Sequence, residues 1–353
     1  MKNADLQNIL EQTRATSAAP GGGAIIVAHD TVIAQAVTGV RRVNNNEAIT
    51  MNNRFHIGSN GKAWTATVCA ALVERSQISW QTTPLDVFPD IRTDIHPQFA
   101  NITLEMLLRH MAGIPPYTED EHFNDLPALS GSPTEQRVTF AKWLLCERQP
   151  INSPGTEMAY SNAGYGIAAV MAETVSGLSW EQLIEKYIGE PLEITVGFGW
   201  PAAADANQPW GHRIKDGRIE PHPPNDDYFL LPIIAPAGDI HVSLPDYGRF
   251  LQMNLNALQG RETPVANSLL RHLHNEGQAG VGLGWGVQPL GDLGLFSVHS
   301  GSAGTFLCLA AVSHSHDRAV AIAVNGGSED EEAFEPAIVA GFKQMVTACL
   351  ESA

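Results

Sequence analysis

Ser59 is followed three residues later by Lys62, in the stretch His56-Ile57-Gly58-Ser59-Asn60-Gly61-Lys62-Ala63-Trp64-Thr65. A serine hydroxyl is a weak nucleophile at its free pKa and needs a base beside it. A lysine can serve if its surroundings hold it neutral or let it relay a proton. The run from Ala63 to Glu74 has apolar residues at helical spacing (Trp64, Val68, Ala71, Leu72) and no proline, which predicts a helix beginning at or just after Ser59. Lys62 then falls about one turn later on the same face, within reach of the Ser59 hydroxyl. Taken alone, such a pair is more often a polar helix start followed by a surface lysine, so its weight depends on partners further along.

Two later clusters could supply them. Pro154-Gly155-Thr156-Glu157-Met158-Ala159-Tyr160-Ser161-Asn162 puts Tyr160 and Asn162 two apart just before an apolar helical run, where a turn can aim both side chains into a cleft. A buried tyrosine beside a lysine could have its pKa lowered enough to share proton transfer. The plain alternative is a helix cap, with Ser161 or Asn162 as N-cap and Tyr160 as packing. His299-Ser300-Gly301-Ser302 ends one strand-like run and precedes another; the glycine lets backbone approach a bound substrate closely, as a sheet edge pairing with a peptide-like ligand requires. The other twelve of the 13 histidines show no catalytic pattern, and His212, His222, His272, His274, His314 and His316 read as loop or surface residues. No His-Glu-x-x-His run occurs, so metal catalysis has little support, and a serine hydrolase of this kind is expected to use neither a metal nor an organic cofactor.

The elements that must position these residues can be read in outline. Residues 5 to 16 suggest a helix broken at Pro20-Gly21-Gly22-Gly23, and Ala24 to Ala28 with Val32 to Val37 reads as a hairpin. Short helical patterns follow at 104 to 110, 135 to 147, 163 to 175 and 180 to 187, with few strand signals between 117 and 224. A helix over 246 to 258 leads into strand-like runs at 282 to 288, 294 to 299, 305 to 312 and 319 to 325, and an amphipathic helix over 331 to 350 closes the chain. Strands at both ends with helices between predict an α/β (α+β) protein. Its discontinuous sheet domain would hold residues 1–80 and 225–353, its mainly helical domain residues 81–224, and the active cleft would lie where they meet.

At 353 residues, with 44% hydrophobic and 17% charged residues, the chain has the composition of an ordinary globular protein with a large core. Its 21 basic and 38 acidic residues leave a formal charge of −17, which argues against nucleic acid or an anionic membrane surface as the main partner. Cys69, Cys146, Cys308 and Cys349 are too scattered for a zinc site or disulfide framework, and Cys69 and Cys308 read as small core residues. No apolar run approaches the length of a membrane span. The start, Met1 to Gln7, has no apolar signal-peptide region. A cytoplasmic protein is expected if Met1 is the natural start, and a periplasmic one if a signal peptide has been removed.

In order and approximate separation, Ser59-x-x-Lys62, Tyr160-Ser161-Asn162 and His299-Ser300-Gly301 resemble the three-motif signature of serine β-lactamases and penicillin-binding D-alanyl-D-alanine carboxypeptidases. Tyr-Ser-Asn in the middle position resembles the class C and carboxypeptidase branch. Leu107 to Pro115, Pro154-Gly155, Pro236-Ala237-Gly238-Asp239 and Gly282-Leu283-Gly284-Trp285-Gly286 resemble that branch too, so the likeness runs from about residue 20 to 345. It implies a β-lactamase/transpeptidase-like fold, an antiparallel sheet flanked by helices plus a mainly helical domain. Ser59 would form an acyl-enzyme, with Lys62 and Tyr160 as the proton-transfer pair and the backbone N–H groups of Ser59 and Ser302 as the oxyanion hole. Asn162 would hold the substrate's amide side chain, the Ser300-Gly301-Ser302 edge would align its backbone, and His299 would assist proton transfer or orient a substrate carboxylate. Class C β-lactamases carry Lys-Thr-Gly where this chain has His-Ser-Gly. A histidine is mostly neutral at pH 7, which moves the expectation from efficient β-lactamase activity toward a peptidase acting on D-Ala-D-Ala-like amides. The alternatives are an esterase of small esters, a weak β-lactamase, or a penicillin-binding sensor that is acylated without turnover.

Overall fold

The computed structural model describes residues 1–225, 231–328 and 334–351. The described strands, in chain order, are β1 (Gly21–Val27), β2 (Val32–Gly39), β3 (Arg54–His56), β4 (Gly211–Lys215), β5 (Arg218–His222) and β6 (His241–Ser243), followed by β7 (Gly280–Val281), β8 (Gly286–Pro289), β9 (Leu295–Ser302), β10 (Leu307–Ser313), β11 (Ala319–Val324) and β12 (Gly327–Ser328). Seven of them make one antiparallel sheet in the order β2-β1-β11-β10-β9-β8-β7. The first and last parts of the chain therefore meet at its centre, where Ile25 is registered against Ala321 and Ala310 against the same residue.

The central strands are near-continuous apolar runs because both faces of the sheet are covered. On one face Ala24, Ile26, Leu309 and Ile322 pack with Leu6 and Leu10 of the helix Asn3–Ser17 and with Ile338 and Phe342 of the helix Phe334–Glu351. On the other face Ala310, Ala319, Ala321 and Ala323 are small. That lets the helices Leu244–Leu258 and Gly61–Glu74 lie close, and Trp64 stacks on Phe250 at 4.3 Å between ring centroids. An aromatic pair of this kind adds about 0.5–1.5 kcal/mol beyond its buried area. Cys69 and Cys308 are buried among these residues as small apolar side chains.

Three expectations need correction. The run 282 to 288 is not one strand: β7 and β8 are separated by a turn in which Gly284 has φ +79°, and a Cβ there would come within 2.6 Å of Ala63 Cα. The chain must bend there to pass over the start of the Ser59 helix. Within the stretch read as helical, β4 and β5 form a hairpin, with Asp216 and Gly217 both at positive φ in its two-residue turn, the geometry of a type I′ connection. Its strand β4 also pairs, in parallel, with β12. Finally, His212 and His274 are fully buried rather than superficial: His212 Nδ1 donates to Asn325 O at 2.7 Å, and His274 lies between Ser297 and Asn254. The closing helix is described from Phe334; its expected start at 331 lies outside the described residues.

Candidate active site

Ser59 sits in a single 3₁₀ turn, Gly58–Asn60, that runs directly into the helix Gly61–Glu74. Asn60, fully buried, fixes this turn: its Nδ2 donates to Ile57 O and Cys308 O, both at 3.0 Å, and its Oδ1 accepts from Tyr247 OH at 2.8 Å. His56 holds the other side. Its Nδ1 accepts the Gly58 N–H at 3.1 Å, which leaves the ring proton on Nε2, 3.4 Å from Asp239 Oδ1. Gly58 itself is at φ +51°, and a Cβ on it would come within 2.7 Å of Ser302 N. The Ser59 turn and the end of β9 are thus in direct backbone contact, a closeness that a side chain at Gly58 would prevent.

Lys62 Nζ lies 3.1 Å from Ser59 Oγ, 2.8 Å from Asn162 Oδ1 and 2.9 Å from Ala237 O. Its side chain is fully buried, and among the described residues it forms no ion pair with a carboxylate. Three acceptors and the faces of Tyr160 and Tyr165, 4.6 and 5.5 Å from Nζ, favour the ammonium. Desolvation outweighs them and holds the lysine well below its usual pKa. In the neutral form Nζ has two N–H groups, for Asn162 Oδ1 and Ala237 O, which can only accept. Its lone pair is then left for the Ser59 O–H.

Tyr160 OH donates to Ser59 Oγ at 2.8 Å. Tyr160 as a residue is 37% exposed, while its hydroxyl is held by the bond to Ser59 Oγ. Burial pushes it up to about 12, against a smaller opposite effect from the Ser59 hydrogen bond. The lowered tyrosine pKa expected from the sequence is therefore reversed: desolvation disfavours the phenolate, and a neutral Lys62 offers no charge to offset it. Tyr160 is a phenol at neutral pH and a donor, and the cluster reads in one direction, Tyr160 O–H to Ser59 O–H to Lys62 Nζ.

Ser161 is the N-cap of the helix Asn162–Ser176, accepting from Gly164 N at 2.9 Å and donating to Pro115 O at 2.7 Å. The cap expected as the plain alternative is therefore Ser161, while the residues on either side of it, Tyr160 and Asn162, contact Ser59 and Lys62. Asn162 spends Oδ1 on Lys62 and one Nδ2 hydrogen on Tyr117 O at 3.0 Å, leaving one lone pair and one hydrogen toward the cleft. His110, which the sequence did not single out by role, lies 4.5 Å from Tyr160 ring to ring and accepts the Ser161 N–H on Nδ1 at 3.1 Å.

On β9 the side chains alternate. Gly301 faces Ser59, where a Cβ would come within 2.7 Å of Ser59 N, and Ser300 points to the other face, its Oγ 3.4 Å from Glu335. What Ser300 and Ser302 bring to the cleft is chiefly backbone. The Ala303 N–H bonds Phe306 O at 3.1 Å, so the next pair, Ser302 with Leu307, is non-hydrogen-bonded and the Ser302 N–H points away from β10. The pairing of β8 with β9 ends at Gly286 and Val298, leaving residues 299–302 as an open edge among the described residues. His299 is half-buried, with Nδ1 2.7 Å from Ser300 O. Burial pushes it down to about 4, and a proton on Lys62 would act in the same direction, so it is neutral at pH 7.

These groups converge on a cleft of about 660 Å³ bordered by Ser59, Tyr160, Asn162 and Ser302, and by Tyr117 and Ile234 on its apolar side. A family model described as beta-lactamase matches residues 6–341. The chain belongs to the beta-lactamase family, whose members are serine hydrolases. It is 25% identical over 244 residues to a protein named beta-lactamase from Escherichia coli (strain K12), an alignment covering 68% of this chain and 58% of that protein. It is 24% identical over 235 residues to penicillin-binding protein 4 of Amycolatopsis lactamdurans, covering 67% of this chain and 59% of that one. The matches thus span under two thirds of these relatives' own length. A solved structure of an octameric penicillin-binding protein homologue from Pyrococcus abyssi superposes with a TM-score of 0.79 at 23% identity, over 99% of this chain and 77% of that one. The β-lactamase/transpeptidase-like fold expected from the sequence is the one observed. Among the described residues, no helix is long and apolar enough to cross a membrane.

Proposed function

We propose that this protein is a serine hydrolase of the β-lactamase and D-alanyl-D-alanine carboxypeptidase type that cleaves amides through an acyl-enzyme on Ser59. The observation that carries the reading is the directed chain from Tyr160 OH through Ser59 Oγ to Lys62 Nζ, at 2.8 and 3.1 Å. Neutral Lys62 takes the Ser59 proton as Oγ bonds to the substrate carbonyl carbon. The N–H groups of Ser59 and Ser302 receive the developing oxyanion. As the carbon–nitrogen bond breaks, a proton from the Lys62–Tyr160 pair goes to the leaving nitrogen. Water then adds to the acyl carbon and gives a proton to the same pair, and the carbon–Oγ bond breaks with Oγ reprotonated.

The open edge at 299–302 suits an extended, peptide-like acyl group, and Asn162 retains the hydrogen-bonding capacity to meet its amide. Small esters would pass through the same steps with an easier leaving group. The two-domain division, with the cleft between residues 1–80 and 225–353 on one side and 81–224 on the other, is part of this proposal. It is supported by the cleft's drawing Ser59 and Ser302 from the first and Tyr117, Tyr160 and Asn162 from the second. Intact mass after incubation with a fluorophosphonate tests the reading. One adduct on the unaltered protein and none on a folded Ser59→Ala variant is expected, and equal labelling of both would refute the assignment.

A further inference from the structure

Resting on the acyl-enzyme reading above, we infer that His110 is the positioning residue of Tyr160: it fixes the phenol as proton donor to the leaving group and acts on the reaction through that residue alone. The N–H groups of the residues on either side of Tyr160 both end on His110. The Ala159 N–H donates to its carbonyl oxygen at 2.8 Å and the Ser161 N–H to its Nδ1 at 3.1 Å. Its ring lies 4.5 Å from the Tyr160 ring and 5.2 Å from that of Tyr165, which is fully buried and anchored by its hydroxyl to Leu108 O at 2.7 Å. Tyr160 needs such a support because it borders the open cleft, where packing restrains a side chain on one side only, yet its hydroxyl must stay at 2.8 Å from Ser59 Oγ.

The backbone at His110 points the same way. His110 follows the helix Leu104–Leu108 at φ +58°. Its N–H bonds Leu107 O at 3.2 Å and the Met111 N–H bonds Met106 O at 2.8 Å, the pattern of a Schellman helix end, whose left-handed position is usually glycine. A Cβ is unfavourable in that conformation, so the helix end gains nothing from a histidine. What the side chain adds is the Nδ1 acceptor and the ring, both of them spent on the Tyr160 segment, and strain held in place beside a reacting group in this way marks a functional position. Burial pushes the ring down to about 3, so at neutral pH Nδ1 keeps its lone pair for the Ser161 N–H and the ring proton sits on Nε2.

His110→Gly is the direct test, since glycine takes this φ without strain and keeps the carbonyl that holds Ala159. Two butyrate esters report on it: the ethyl ester, whose leaving oxygen needs a proton as the bond breaks, and the p-nitrophenyl ester, whose leaving oxygen does not. The variant should stay folded, with a melting temperature near that of the unaltered protein. Its kcat/KM should fall by about 10²-fold for the ethyl ester and by less than about tenfold for the p-nitrophenyl ester. In a Tyr160→Phe background the same change should have little further effect on the ethyl ester. His110→Asn, whose Oδ1 stands in the place of Nδ1 and which tolerates the left-handed backbone, should recover most of the loss. An unaltered rate, equal losses on the two esters, effects of His110→Gly and Tyr160→Phe that multiply, an asparagine variant as slow as the glycine one, or loss of the fold in His110→Gly would each overturn the inference. Fluorophosphonate labelling separates the two claims. A Ser59 adduct together with any of these outcomes leaves the acyl-enzyme reading standing and removes this one; no Ser59 adduct removes both.

Discussion

Lys62 Nζ is hydrogen-bonded at 2.8 Å to Asn162 Oδ1, which joins the helix that follows Ser59 to the first turn of a helix 100 residues further along the chain. The partner's neutrality is what matters. An amide oxygen accepts from the lysine without fixing its charge, whereas a carboxylate in the same place would hold it as ammonium. Asn162 is itself oriented by the bond from its Nδ2 to Tyr117 O.

The isosteric change Asn162→Asp should therefore raise the Lys62 pKa. Because the base must be neutral to take the serine proton, activity at pH 7 should fall by about tenfold or more. The acid limb of the kcat/KM profile should move to higher pH. An unshifted limb in this variant would mean that Lys62 is not the group titrating.

Lys62 should also be a stability cost. Its pKa is held down by burial in the folded protein and is ordinary in the unfolded chain. Between the two values the unfolded state binds more protons, so this group destabilises the fold at low pH and less so as pH rises toward 10.5. Lys62→Met, similar in volume and without the charge, should be inactive yet melt at or above the temperature of the unaltered protein at pH 6–7. The difference should shrink as pH rises. A large loss of stability in Lys62→Met would mean that the hydrogen bonds of Nζ outweigh its desolvation.

If Lys62 and Tyr160 act as one unit, Lys62→Ala and Tyr160→Phe should each lower kcat by about 10³-fold or more, and the double variant should be little worse than either. Simple multiplication of the two effects would argue for separate roles. Near-normal turnover by Tyr160→Phe would reduce the tyrosine to packing against His110.

The convergence of the candidate site residues was legible because each depends on local geometry that short spacing can encode. Ser59 and Lys62 share one helical turn, and Tyr160 and Asn162 flank an N-cap. The fold class was legible from the apolar runs of the central strands. What was illegible depends on contacts between distant segments. The break between β7 and β8 is set by the approach of Gly284 to Ala63, and the burial of His212 and His274 by partners such as Asn325 and Asn254. The direction of the Tyr160 pKa needed the three-dimensional desolvation, since a neighbouring lysine suggests the opposite sign. The β4–β5 hairpin did carry its signal in Asp216-Gly217, but flanks such as Arg213, Lys215, Arg218 and Glu220 lack the apolar alternation that marks a strand.

His56 is one position whose role only the structure brings out, through Gly58 N on one ring nitrogen and Asp239 on the other. His56→Ala should lower kcat by about 10²-fold, the size of effect expected when a nucleophile is displaced by about 1 Å. KM for a small neutral ester should change little. His56→Asn, whose side-chain oxygen can still accept the Gly58 N–H, should recover part of the loss. A change in KM alone would point to an effect on substrate contact instead of on the Ser59 turn.

The exchange of lysine for histidine at 299 bears on the lifetime of the acyl-enzyme. Acylation by a penicillin requires the attack of Ser59, for which the cluster is complete, but release of the bulky penicilloyl group requires an activated water in a site that also grips the carboxylate. His299 is neutral at pH 7, since burial pushes it down to about 4, and the rim carries Glu119 and Asp120. Penicillin should therefore acylate slowly, and the adduct on Ser59 should persist for minutes or longer in intact-mass time courses. His299→Lys would introduce a permanent cation. It should accelerate acylation by carboxylate-bearing β-lactams several-fold by offsetting the acidic rim. It should also depress the Lys62 pKa further by like-charge repulsion, moving the acid limb of the pH profile to lower pH. Rapid multiple turnover of penicillin by the unaltered protein, with no adduct trapped, would show that deacylation needs no cation at this position.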